Sequence, residues 1–299
     1  MRQSTVKKGR EITLKPVPRP TPTIHFDPRF DQRAEMATMR RSDGEVATDW
    51  FRMKFYDDVS DIRPAKAGYY KHYVQHFVSQ FFSPEKISGK RVLDFGCGPG
   101  FFSAILSQRG AFVTGIDMSP FLIAKANEHK AALGLKNVEF IQGDFVVYSS
   151  HMAPNQFDYA IAIDTLVSFD YSRATHDHAR VTKAFGGIRR VLKENGRCLV
   201  IESHPFFGRV FQEIPSDTGE FLCVRSPHYK IEYKLKSDVH HWFTLDEMTK
   251  ATSENGLAIS RIYEPDPSPA LQHENPPGYL FRLKYPGLIV YEICKLPER

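Results

Sequence analysis

Between residues 91 and 202, short apolar runs alternate with segments whose apolar positions recur every three or four residues. A continuous apolar run reads as a buried strand and a spacing of three and four as one face of a helix, so the alternation predicts strand, helix, strand, helix. Arg91–Gly96 is the first predicted strand, and 101–109 a helix stopped by Gly110. Residues 112–117 form the second strand, and 119–133 a helix with Ser119 as N-cap and Pro120 in the first turn. Residues 138–144 are the third strand and, after a short polar connection with room for a weak helix, 157–164 the fourth. A helix over 176–192, ending before Asn195-Gly196, then leads to a fifth strand over 197–202. Strands separated by helices imply an α/β fold, a mostly parallel sheet with helices on both faces.

The flanks follow other patterns. From Phe30 to Ser83 the apolar spacing is helical: Trp50, Phe51, Phe55 and Tyr56, then Tyr69, Tyr70, Tyr73 and Phe77. After Ser203 the rhythm breaks, and 204–242 reads as an insertion with turns and one β-like stretch, 229–235. A helix over 245–253 and strands over 257–263 and 288–294 close the chain. Ahead of all this, Pro16, Pro18, Pro20 and Pro22 forbid a helix, and Lys7, Lys8, Arg10, Lys15 and Arg19 make the stretch basic. The expected organisation is a disordered basic arm, 1–29, and a single domain, 30–299, with N-terminal helices at 30–83 and a cover at 204–242. No internal repeat is visible.

Composition narrows the class. A hydrophobic share of 41% and a charged share of 25% are ordinary for a globular enzyme, and 299 residues can bury a sizeable core. A net charge of +5 is too small at this length to indicate nucleic-acid binding. No run approaches the roughly 18 apolar residues of a membrane helix, and residues 1–23 lack the apolar centre of a secretory signal. Cys97, Cys198, Cys223 and Cys294 form no CxxC pair and no zinc spacing, which predicts reduced thiols, a cytoplasmic protein and no metal site.

The chemistry concentrates in Val92-Leu93-Asp94-Phe95-Gly96-Cys97-Gly98-Pro99-Gly100. A strand runs into a turn with glycine at alternate positions and then into a helix, whose free N–H groups and dipole form a ligand-binding end. A dinucleotide would call for G-x-G-x-x-G, and Phe101 stands where its last glycine belongs. Asp94 would repel a pyrophosphate and suits a cationic amino group. Asp117, ending the second strand, is placed to accept from both hydroxyls of a ribose. At the end of the third strand, Asp144 can accept from the amine of adenine, with Phe145 and Met118 on either side of the ring. Asp164 ends the fourth strand on the same edge.

Together, 94–100, Asp117, Gly143-Asp144 and Arg190-Val191-Leu192-Lys193-Glu194-Asn195-Gly196 resemble the class I methyltransferases that use S-adenosylmethionine (SAM). The resemblance spans roughly 55–295, with Asn195-Gly196 standing where the family has Gly-Gly. It implies a Rossmann-like seven-stranded sheet with the last strand antiparallel, and SAM as methyl donor across the carboxyl ends of strands one to four. On that reading Asp94, Gly96, Cys97, Gly98, Asp117, Met118, Asp144, Phe145 and Asp164 bind the cofactor. His241-Trp242-Phe243-Thr244-Leu245 and the segments after it resemble the small-molecule branch, in which the insertion after strand five covers the substrate. Thr165-Leu166-Val167 follows Asp164 where the exocyclic-amine methylases carry a Pro-Pro-aromatic run, which argues against that branch.

A base is needed only for an acidic acceptor. His241 is the preferred catalytic candidate, with His240, Trp242 and Tyr69 as substrate contacts and His204 behind them, although a packed histidine is the plainer reading of each. Phe206, Phe207, Phe211, Phe221, Tyr229, Trp242 and Phe243 in the cover point to a small, apolar or aromatic metabolite, isoprenoid and alkaloid acceptors included, as in secondary metabolite biosynthesis. C-, O- and N-methylation stay unresolved. The expected partner is that small-molecule substrate, with neither nucleic acid nor membrane, and a homodimer or higher homo-oligomer stays open. The competing readings are a protein or nucleic-acid methyltransferase, or a SAM-binding fold used for other chemistry.

Overall fold

Seven strands form the central sheet of the computed structural model, in the order β11-β12-β7-β6-β3-β4-β5. The structure describes residues 38–40, 46–48, 69–166, 179–205, 221–225, 231–235, 238–241 and 243–297. In the sheet, β3 (Arg91–Phe95), β4 (Phe112–Asp117), β5 (Val138–Gln142), β6 (Phe157–Ile163) and β7 (Leu192–Ser203) run parallel. β12 (Leu288–Lys295) lies antiparallel between β7 and β11 (Leu257–Tyr263). The expected sheet, with its antiparallel last strand, is the one observed.

The central strand shows why. Val92, Leu93 and Phe95 of β3 are fully buried, as a parallel strand covered on both faces requires. Successive side chains point to opposite faces. Leu93 and Phe95 join one apolar cluster with Phe157, Phe185, Met248 and Tyr291, and Val92 joins the other with Tyr73, Phe82, Leu106 and Ile201. The helices supply the outer walls: α1 (Gln75–Phe81), α2 (Pro84–Ile87), α3 (Phe101–Gln108), α4 (Pro120–Ala132), α5 (Phe145–Tyr148), α6 (Ala179–Val191), α7 (Leu245–Ser253), α8 (Pro269–Glu274) and α9 (Pro276–Lys284). Ser119 Oγ accepts the Leu122 N–H at 3.1 Å and starts α4 as its sequence signal predicts.

The structure corrects four expectations. The helical reading of 30–83 fails at its start, because β1 (Thr38–Arg40) and β2 (Val46–Thr48) pair antiparallel. The Asp43-Gly44 dipeptide between them is a hairpin signal that the aromatic spacing obscured. Among the described residues the first helical turn is the π-helical one at Tyr69–Val74, which leads into α1. The fifth strand starts at Leu192, and Asn195-Gly196 lies inside it. Phe157 pairs with Leu192 and Tyr159 already with Arg197, so 193–196 form an irregularity in the strand rather than a turn before it. Helices α8 and α9 were not expected, and each opens on a proline. The insertion holds a three-stranded antiparallel sheet, β8 (Phe221–Arg225), β9 (Ile231–Leu235) and β10 (Asp238–His241), where one β-like stretch was expected. No described helix is long and apolar enough to cross a membrane. The 1–29 arm lies outside the described residues, as does Trp50 through Tyr56.

Candidate active site

In a parallel sheet, ligands bind beyond the carboxyl ends of the strands where the strand order reverses, and here that point lies between β3 and β6. The loop leaving β3 occupies it. Gly96, Gly98 and Gly100 have φ of +75°, +52° and +77°, the left-handed region where a side chain is strained. At Gly96 a Cβ would lie 2.3 Å from the Thr165 side chain, so glycine lets the loop sit against the end of β6. At Gly98 a Cβ would meet nothing within 4 Å. Its backbone therefore borders open space, as a cradle for a ligand must.

Asp117, at the end of β4, organises that cradle. One carboxylate oxygen accepts the Gly98 N–H and the other the Ser119 N–H, each at 2.9 Å. A carboxylate oxygen has two lone pairs and can accept more than one hydrogen bond. Met118, beside it, is half-buried. Cys97 is buried, and burial together with the Asp94 and Asp117 charges raises its thiol pKa, so it stays protonated and packs.

Three of the expected contacts need revision. Asp94 lies beneath the loop, 2% exposed, and accepts a 2.6 Å bond from Ser103 Oγ on α3. Burial first, then the neighbouring Asp117, pushes its pKa up to about 7. It fastens the loop to the helix and presents no open face for an ammonium group. Phe145 is 3% exposed and stacks on Phe95 with centroids 4.8 Å apart, so its ring belongs to the core and not to an adenine sandwich. Asp144 caps α5 through the Val146 N–H, and both of its oxygens receive an Arg180 nitrogen at 3.0 Å. An adenine amine would share this carboxylate with the guanidinium. Arg180 carried no recognisable sequence signal, because its partner lies 36 residues away.

The end of β6 holds Asp164, in left-handed backbone at φ +46°, and beside it a residue that the sequence reading passed over. Glu202, near the end of β7, is 6% exposed, and Asp164 lies close enough to raise its pKa. Its Oε1 accepts the Leu166 N–H at 2.9 Å. The signal was an acid closing the apolar run Cys198-Leu199-Val200-Ile201 on the ligand edge of the sheet.

The proposed base fares unevenly. His204 is 3% exposed, its Nε2 lies 2.8 Å from Glu264, and burial lowers its pKa, so it serves packing. His240 and His241 are the last two residues of β10, paired with Tyr233 and Glu232. Trp242 lies outside the described residues, and Tyr69 opens the π-helical turn. Among the described residues no three His, Cys, Asp or Glu side chains cluster as metal ligands.

Sequence and structure comparisons agree with this geometry. A methyltransferase-domain family model matches residues 86–259, more than half of the chain, and the chain belongs to that family. The seven-stranded fold is one that SAM-dependent methyltransferase structures share, as the superpositions show. Among curated proteins, a ubiquinone biosynthesis O-methyltransferase of Pseudomonas fluorescens is 34% identical over 117 residues, 39% of this chain and 45% of that protein. A magnesium-protoporphyrin O-methyltransferase of Rhodobacter capsulatus is 38% identical over 103 residues, 34% of this chain and 42% of that protein. The chain thus spans less than half the length of these relatives. A SAM-dependent methyltransferase structure from Mesorhizobium loti superposes with a TM-score of 0.52 at 21% identity, over 69% of this chain and 91% of that one. A protein of Pyrococcus horikoshii gives 0.55 at 19%, over 82% and 97%. Both show the shared fold.

Proposed function

We propose that this chain transfers the SAM methyl group to a small, apolar or aromatic metabolite, with oxygen as the receiving atom, and does so without a metal ion. The observation that carries the proposal is the Gly96–Gly100 cradle wired to Asp117, open above Gly98 and bordered by α3, whose N-terminus begins at Phe101. The oxygen acceptor is supported by the names of the two O-methyltransferase relatives. The small-molecule reading is supported by the aromatic residues of the 204–242 insertion, which leaves the sheet from the carboxyl end of β7.

When bound, SAM supplies a methyl on a sulfonium whose departure leaves a neutral thioether, so the leaving group needs no acid. The protein's task is alignment, which can contribute roughly 7–11 kcal/mol. Asp117 and the Gly98 backbone fix the ribose end. Asp94, through Ser103, and Glu202, through Leu166, hold the two loops that flank it. On this reading His241 takes the acceptor proton while the methyl–oxygen bond forms.

The test incubates the protein with SAM labelled in the methyl group and a small-molecule extract, in buffer containing EDTA. Label in the small-molecule fraction supports the proposal. Label found only in protein or nucleic acid, or retained wholly in SAM, refutes it.

A further inference from the structure

Glu202 carries a second feature that methyl-donor binding does not use. Its Oε1 side is occupied: the Leu166 N–H donates to that oxygen, and the Thr165 N–H also bonds the carboxyl. Its Oε2 is buried and has no hydrogen-bond partner among the described residues. Glu202 lines a recess together with Ser203, Pro205, Phe243, Met248, Ile289 and Tyr291, with room for about 10 Å³. Such a volume holds one water or one ligand oxygen. A water needs two to four polar partners, and beyond Glu202 and Ser203 the walls are mostly apolar. Burial, and the neighbouring Asp164 carboxylate, raise the pKa of Glu202 well above the ordinary carboxylate range. Both effects favour the protonated form, in which the carbonyl side faces the backbone donors and the hydroxyl side is the unpartnered one. A buried donor left without an acceptor is costly, and native proteins retain few.

The recess also has the right address. It opens beside the end of β7, where the chain enters the insertion, and Glu202 lies one hydrogen bond from the Thr165-Leu166 loop that packs on Gly96. We propose that it is an acceptor subsite in which Glu202 Oε2 binds an oxygen substituent of an aromatic ligand, a phenolic hydroxyl, while the ring rests against Phe243 and Pro205. This assignment rests on the methyl-transfer reading for the word acceptor. The bound oxygen sets specificity and is distinct from the methylated atom.

The experiment titrates the full-length protein with p-cresol and with toluene, its counterpart lacking the hydroxyl, followed by ligand-observed NMR. The wild type should bind p-cresol at least about tenfold more tightly than toluene, the discrimination expected of one buried hydrogen bond. Glu202→Gln, whose amide can still donate, should keep most of that ratio, and Glu202→Met should bring it close to one. Equal binding of the two probes by the wild type, no binding of p-cresol, or a ratio that survives Glu202→Met overturns the proposal. Glu202→Met strands two backbone N–H groups, so a second readout covers a variant that fails to fold. The neutral-carboxyl band in the infrared difference spectrum of the wild type should shift on adding p-cresol and be missing in Glu202→Gln, and an unmoved band refutes the contact. SAM titrated into the same samples separates the two readings. Protein that binds SAM but not p-cresol loses the subsite alone, and protein that binds p-cresol but not SAM loses the methyl-donor reading.

Discussion

At the scale of single residues, two acids on one sheet edge have opposite environments and different tasks. Asp117 wires the cradle through the Gly98 and Ser119 N–H groups, and on the proposed reading it also holds the ribose, so Asp117→Ala should weaken SAM binding by about 1.5–3 kcal/mol, the worth of a charge-assisted contact. Unchanged affinity by calorimetry in a folded variant would remove it from the site. Asp94 has the opposite character. Its pKa, pushed up to about 7 in the fold, lies above the ordinary aspartate value of about 3.9, so the folded state holds the proton more tightly. Its contribution is fully present below about pH 4 and is lost as pH rises toward about 7. Asp94→Asn keeps an acceptor for Ser103 and cannot ionise, so its stability relative to wild type should grow between pH 5 and pH 8. Urea midpoints that move in parallel for the two proteins across that range would contradict the assignment. His241 is the remaining wager. As a base it should contribute about 10²–10⁴-fold to rate, so His241→Ala should cut turnover while SAM affinity stays the same. Equal turnover at saturating substrate would leave alignment as the whole mechanism.

Elements explain which of these tasks a sequence can announce. The strands and helices from β3 to α4 were readable because each carries its own instructions: an apolar run, a glycine turn, a Ser119 cap followed by Pro120. Asp117 was readable for the same reason, since its partners Gly98 and Ser119 are close in the chain or part of the same motif. What stayed hidden depends on contacts distant in sequence. The fork from Arg180 to Asp144, the stacking of Phe145 on Phe95, and the contact of Glu202 with Leu166 exist only once the sheet is assembled. The hairpin of β1 and β2 and the late helices α8 and α9 were obscured by aromatic spacing and by prolines that can open a helix as readily as end one. Helix α7 shows a local signal fully expressed. Thr244 Oγ1 accepts the Glu247 N–H at 3.2 Å and the Glu247 carboxylate accepts the Thr244 N–H at 2.9 Å, a reciprocal cap. Thr244→Ala should cost about 1 kcal/mol, and Thr244→Ser should recover most of it. Denaturation midpoints that do not separate the two variants would show that packing of Met248 and Ala251, and not the cap, starts this helix.

For the whole molecule, the question is where the stability of the domain resides. Both apolar clusters of the described structure draw their members from residues 73–293, one on each face of the sheet, and the candidate site lies at the carboxyl edge between them. The first 23 residues bring little to such a core. Pro16, Pro18, Pro20 and Pro22 remove backbone donors and block a helix, and five of the other residues are Lys7, Lys8, Arg10, Lys15 and Arg19, whose charges resist burial. Deleting residues 1–23 should therefore leave both the melting temperature and SAM affinity unchanged. The measurement is a thermal scan of the truncated and full-length proteins at several concentrations, with a SAM titration of each. Loss of 1 kcal/mol in a domain of this size lowers the melting temperature by roughly 2–4 °C, so a fall beyond that would show that the arm packs on the domain. A fall that shrinks on dilution would place the arm on a second copy of the chain and make the protein an oligomer, because only an intermolecular contact weakens as concentration drops.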